Sequence, residues 1–271
     1  MAWYNAIIKM QGGWFMAYKF IVCFIAGIGA GLGTGFAGMS AAAVISPVLI
    51  TFLSMSAYDA VGIALTSDVL ASAISAYTYG KNKNLDVKNG IVMMLTVLLF
   101  TLAGSFIASL VPNTAMGNFS VFMTLLLGIK FIVKPVMATK ESMQSVEPKK
   151  RFFQSVMCGI MIGFICGFIG AGGGMMMLLV LTSVLGYELK TAVGTSVFIM
   201  AFTAFTGSAS HFAIGGIPDA WCLVFCILST LLWARIAARF ANKAEPATLN
   251  RVTGAVLVVL GVVILSVNYI K

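Results

Sequence analysis

The sequence predicts an all-α polytopic membrane protein built from two inverted repeats. Each repeat is a Gly-rich broken or re-entrant helix pair followed by three transmembrane helices. Three observations predict this. Only 9% of the 271 residues are charged and 60% are hydrophobic, whereas a soluble domain carries about 25% charged residues because its surface faces water. Several apolar stretches, among them 87–110, 191–217 and 249–270, reach the roughly 20 residues that a bilayer core requires. The chain also repeats itself. Gly27, Gly31, Gly35, Phe36 and Gly38 are matched at one constant spacing by Gly159, Gly163, Gly167, Phe168 and Gly170. The same spacing takes Ala60-Val61-Gly62 onto Ala192-Val193-Gly194, and Asp86 matches Asp219 within one residue.

These matches divide the chain into a first membrane repeat at 15–136, a linker at 137–149 and a second repeat at 150–271. Each repeat reads in the same order. A Gly-rich helix (20–34; 152–168) leads into a small-residue turn (35–40; 169–174) and a short apolar segment (41–54; 175–185). Three longer helices follow at 58–79, 88–110 and 115–136, with counterparts at 190–212, 219–241 and 247–270. Fourteen residues rise only about 21 Å, short of a core about 30 Å thick. The first two pieces of each half are therefore expected to form a hairpin with its tip near the midplane. Irregular backbone is tolerated there only against protein or a water-filled cavity.

Loop charge orients the halves. Lys81, Lys83 and Lys88 crowd one loop, while its counterpart, 213–219, has no basic residue. The loop 111–117 is uncharged, while its counterpart region holds Arg239, Lys243 and Arg251. Opposite bias in equivalent loops is what opposite orientation produces under the positive-inside rule. This places 81–88, the linker and 239–251 in the cytoplasm and both termini outside, in a multi-pass protein of the cell inner (plasma) membrane. The net charge of +9 then belongs to loops and anionic headgroups. No basic stripe with interleaved aromatics suggests nucleic acid. The lipid bilayer is the expected partner, and the oligomeric state stays open, a homodimer included.

Inverted repeats interrupted at matching positions are characteristic of secondary transporters, whose substrate lies where the interruptions meet. The two tips are the first candidates. Gly35, Gly38 and Ser40 lie in one; Gly170, Gly172, Gly173 and Gly174 lie in the other. Consecutive glycines bare the backbone N–H groups, and a helix start beyond them, at about Met175, suits an oxyanion. The rows Gly27/Gly31/Gly35 and Gly159/Gly163/Gly167 read instead as G-x-x-x-G packing faces. Thr66, Ser67, Thr195 and Ser196 follow the two hairpins and are candidate donors to the anion, or else bond carbonyls of their own helices. Asp68 is the acidic residue deep in a membrane segment. An intramembrane carboxylate costs at least about 2.5 kcal/mol, so it marks function, here coupling to a proton. Its alternative role is an ion pair with Lys130 or Arg235.

Other features carry less. His211, the sole histidine, stands near a helix end, where a structural or interfacial role is expected. Cys23, Cys158, Cys166, Cys222 and Cys226 all lie in apolar stretches with no C-x-x-C pair, so no metal is expected. Residues 33–38 fit G-x-G-x-x-G, but no strand precedes them and no acidic residue follows at the required distance, which excludes a dinucleotide site. No catalytic triad, phosphate loop or paired catalytic carboxylates are present, so neither an enzyme nor a cofactor is expected. A passive anion channel and a membrane protein assisting sulfur-compound metabolism remain as alternatives to a carrier.

The Gly-rich first helix, the Gly-Ala-Gly-Gly-Gly run at 170–174 and Ala192-Val193-Gly194-Thr195-Ser196 resemble the TauE/SafE family of sulfite exporters and toluene-sulfonate uptake permeases. The resemblance extends over nearly the whole chain. It implies a secondary carrier for a small sulfur-containing anion such as sulfite, thiosulfate, sulfoacetate or another sulfonate. The first half departs from the pattern, with Ser40 where the second has Gly172, and Gly62-Ile63-Ala64-Leu65-Thr66-Ser67 in place of the Gly-Thr-Ser run.

Overall fold

A computed structural model describes residues 2–108, 125–126, 129–135, 147–169, 173–215 and 218–270. The described elements are all helices: α1 (Ala2–Ala37), α2 (Ala42–Leu53), α3 (Ala57–Lys81), α4 (Val87–Ala108), α5 (Pro148–Ile169), α6 (Gly173–Ser183), α7 (Leu189–Gly215), α8 (Ala220–Lys243) and α9 (Pro246–Ile270). Among the described residues, five segments are long and apolar enough to cross a bilayer: Met16–Ala37, Tyr58–Lys81, Leu189–Ala209, Ala220–Lys243 and Pro246–Val263. Of the helix expected at 115–136, residues 125–126 and 129–133 are described as helical. The exterior is apolar, with Leu95, Leu99, Phe205 and Leu228 exposed. Such a surface is at rest only against lipid.

The glycine rows are packing faces. A Cβ on Gly31 would stand 2.7 Å from the Thr230 carbonyl oxygen, and one on Gly35 would stand 2.5 Å from Ala237 Cβ. Gly27 lies as tightly on Ser229. In the other half Gly159 lies on Thr96, and a Cβ on Gly163 would stand 2.6 Å from the Val97 carbonyl oxygen. The first helix of each half is thus seated on the fourth helix of the other, backbone to backbone, as small residues permit.

These contacts also give direction. Lys19 meets Asp219 and Gly35 meets Ala237, so α1 and α8 run parallel. Gly207 lies on Leu65 and Gly194 on Tyr79, so α3 and α7 run antiparallel. One end of the molecule gathers Asn84 with Asn242, Lys190 with the Asn242 carbonyl, and Lys130 with Ser183. The other gathers Tyr18 with the Phe52 carbonyl and Lys19 with Asp219.

The helix starts follow from capping. Ser56 accepts the Asp59 N–H at 3.1 Å. Asp219 accepts those of Trp221 and Cys222, each at 3.0 Å. Asp86 does the same for α4, accepting the Asn89 N–H at 3.1 Å and the Tyr187 hydroxyl at 2.8 Å. The matched pair Asp86 and Asp219 therefore opens the fourth helix of each half.

Candidate functional site

The first hairpin breaks at Ala37 rather than at residue 34, so α1 by itself is long enough to cross and only α2 is short. The turn is made at Gly38, whose φ of +61° puts it in the left-handed region. Its N–H bonds the Thr34 carbonyl at 3.0 Å, the usual left-handed helix end. The remaining carbonyls are met by side chains from three other helices. Tyr79 donates to Gly35 at 2.8 Å, Thr253 to Phe36 at 3.3 Å and Ser196 to Gly38 at 3.2 Å.

Asp68 stands across the turn and is fully buried. It accepts the Ser40 hydroxyl at 2.6 Å, the Ser72 hydroxyl at 2.9 Å and the N–H of Ala41. The N–H of Ala42 bonds Ser40 Oγ at 3.3 Å. The short helix α2 therefore begins on a carboxylate, the favourable sign of charge for a helix start. Neither cation offered as a partner reaches it: Lys130 bonds Ser183, and Arg235 is exposed. Hydrogen-bond donors and the helix start balance this charge in place of an ion pair.

The second tip meets the first. A Cβ on Gly174 would stand 2.6 Å from the Gly38 carbonyl oxygen and 3.0 Å from the Ser40 nitrogen, and would strike Met200 Sδ. Two short helices thus start within contact distance of each other. The spacing that carries Gly27 onto Gly159 carries Asp68 onto Met200. The start of α6 accordingly faces a thioether where the start of α2 has an acid. Depth follows from packing. Val44 lies beside Gly29, so the first turn of α2 is level with the middle of the spanning segment Met16–Ala37 and of its parallel neighbour α8. That helix spans about 36 Å, which puts both starts well inside it.

The remaining candidates are spread more widely. Gly173 is the first residue of α6; Gly170 and Gly172 lie outside the described residues. Thr66 bonds the Gly62 carbonyl at 2.8 Å and the Ser208 hydroxyl at 2.7 Å, tying α3 to α7. Ser67 bonds Ile63 at 2.9 Å in its own helix. Thr195 accepts the Asp86 N–H at 3.2 Å, in the turn before α4. Of the four hydroxyls, Ser196 is the one bonded to a tip. The side chains of His211 and Cys166 lie outside the described residues. Cys23, Cys158, Cys222 and Cys226 are buried free thiols.

Sequence reading missed Ser72, Tyr79 and Thr253. Ser72 was visible in principle, one helical turn from Asp68. Tyr79 and Thr253 reach the tip through tertiary packing and carry no local signal. A groove of about 440 Å³ lies between α3 and α7, lined by Ala73, Ala76, Tyr77, Phe198 and Phe202, with Lys81 also on its wall. It is almost wholly apolar and does not include the tips.

Several spanning helices, two short helices whose starts meet at depth and a buried carboxylate define a polytopic helical membrane protein with an internal polar centre. The chain belongs to the sulfite exporter TauE/SafE family, which it matches over residues 23–264, and it is a membrane transporter. It is 23% identical to the probable membrane transporter protein YunE of Bacillus subtilis, over 90% of this chain and 96% of that protein. It is 26% identical to the probable membrane transporter protein MJ0441 of Methanocaldococcus jannaschii, over 90% of this chain and 93% of that one. No solved structure matches.

Proposed function

We propose that the protein is a secondary carrier that moves a small sulfur-containing anion by alternating access, coupled to a proton on Asp68. The observation that carries this reading is the meeting of the two tips, Gly38 to Ser40 against Gly174, beside a buried carboxylate that pairs with no cation among the described residues. Two helix starts that face each other at mid-depth offer partial positive charge and backbone donors to an oxyanion, without a fixed Lys or Arg that would hold it too tightly for release. Asp68 already occupies the start of α2. The start of α6, with Met200 in the matching place, is left for the transported anion. The antiparallel course of α3 and α7 supports an inverted pair of repeats, which alternating access uses to open to one side and then the other. Family membership supports sulfite, thiosulfate, sulfoacetate or another sulfonate as cargo.

The test is flux in liposomes containing the pure protein. Thiosulfate and sulfoacetate accumulation should follow an imposed pH gradient and show exchange between labelled and unlabelled anion. Flux that ignores the gradient and shows no exchange would identify a channel. No flux with any anion of this class would overturn the reading.

A further inference from the structure

The face of α3 that bears Asp68 also bears Ser72, Ser75 and Tyr79, and all four are fully buried. Their spacing of 4, 3 and 4 residues places them within about 60° of one another around the helix. They form one stripe about 16 Å long, counted along the helix axis. The stripe faces the first hairpin, since its two ends bond there: Asp68 to Ser40 and Ala41, Tyr79 to the Gly35 carbonyl. Ser72 is joined to Asp68 at 2.9 Å. Ser75, the link between Ser72 and Tyr79, is a buried hydroxyl with no hydrogen-bond partner among the described residues. An orphaned buried hydroxyl is costly, and the usual remedy is an ordered water. A helix that needed only packing at 75 would be better served by Ala, which it has at 71, 73 and 76.

We propose that this stripe is the proton path to Asp68, with Ser75 holding the water that joins Tyr79 to Ser72. This rests on the carrier reading above, in which Asp68 is the proton site. The path opens where α3 ends, at the turn 82–86. A proton enters from bulk water there. It passes to the water at Ser75, while Ser72 gives its own proton to Asp68 Oδ1 and takes one from that water. Each hydroxyl ends as it began, and one carboxylate has become a carboxylic acid. The charged groups of the turn, Lys83 and Asp86, stand at the mouth of the path. The segments packed on the stripe, 20–37 of α1 and 42–53 of α2, contain no ionisable side chain apart from the Cys23 thiol. Arg235 and Arg239 of α8 are exposed, and Lys190 of α7 is bonded to the Asn242 carbonyl.

The test uses the full chain in liposomes with whichever of thiosulfate or sulfoacetate it carries. Two rates are read: accumulation driven by a pH gradient, and anion exchange without one. Ser75→Ala should slow the driven rate about tenfold, the cost of one lost hydrogen-bonded step, and leave exchange unchanged. Ser75→Thr, which keeps a hydroxyl, should restore it. Asp68→Asn should abolish the driven rate. If Asp68→Asn does so but Ser75→Ala and the bulkier Ser75→Leu do not slow it, the path is wrong and the carrier reading survives. If Ser75→Ala lowers both rates equally, Ser75 is structural and the proposal falls. If Asp68→Asn leaves driven transport intact, Asp68 is not the proton site, and the carrier reading fails in that respect together with the path.

Discussion

At the scale of the residue, the chemistry is set by what each polar group touches. Ser196 holds the Gly38 carbonyl and so fixes the turn on which the two tips meet. Ser196→Ala should weaken anion binding by about 1 kcal/mol or somewhat more, the scale of one hydrogen bond near a charged group, read by thermal stabilisation with thiosulfate. At the start of the spanning segment Met16–Ala37, Lys19 and Asp219 form an ion pair at 2.5 Å. Burial alone would raise the Asp219 carboxyl. The Lys19 hydrogen bond and the N–H groups of Cys222 and Trp221 outweigh it and hold the group below the ordinary Asp value. A depressed carboxylate contributes stability that is complete above its unfolded value of about 3.9 and is lost as pH falls through the folded one. Asp219→Asn should therefore lower the melting temperature in detergent at pH 7, by the equivalent of about 0.5–1 kcal/mol for a partly exposed pair. The difference from wild type should begin to shrink as pH falls below about 4 and vanish only once pH has passed below the depressed folded value. Asp68 was legible as an exception in the sequence, because a lone acid among apolar residues needs no structure to be noticed. Its partners Ser40 and Ala41 were not legible, since they come from a segment 28 residues away.

At the scale of the element, glycine decides how closely helices approach. The rows on α1 and α5 seat each helix on backbone atoms of its neighbour, where nothing can yield. Gly31→Leu should cost about 2–3 kcal/mol through overpacking, seen as a lower melting temperature and poorer recovery of folded protein. Gly174 is different, because its neighbours are the Gly38 carbonyl and Ser40 of the opposite tip. Gly174→Val should push the tips apart, and anion flux should fall by much more than thermal stability does. Equal loss of both would make this contact purely structural. The spacing of the glycines told the sequence reader that both rows pack. It could not tell on which helix, because a G-x-x-x-G face describes one partner only.

At the scale of the whole molecule, two facts agree: basic residues fall in alternating loops of the two halves, and α3 runs opposite to α7. A reporter active only in the cytoplasm should be active when inserted in the 137–149 linker and silent when fused after Lys271. Activity at both places would require an even number of crossings in the second half and would remove the inversion.

The sequence by itself determined the solvent and the helical class, and it carried the internal glycine repeat from which two related halves are expected. Each of these follows from composition or periodicity, which are local properties that lipid and backbone hydrogen bonding turn directly into helices. Only the tertiary structure decided that the two tips touch, that α2 starts on Asp68 while α6 faces Met200, and that Thr66 and Thr195 serve helix contacts away from the tips. Those outcomes depend on which helices cross at which depth. The α1–α8 register that sets the depth rests on pairs such as Gly27 with Ser229, some two hundred residues apart, where no window of sequence holds both partners.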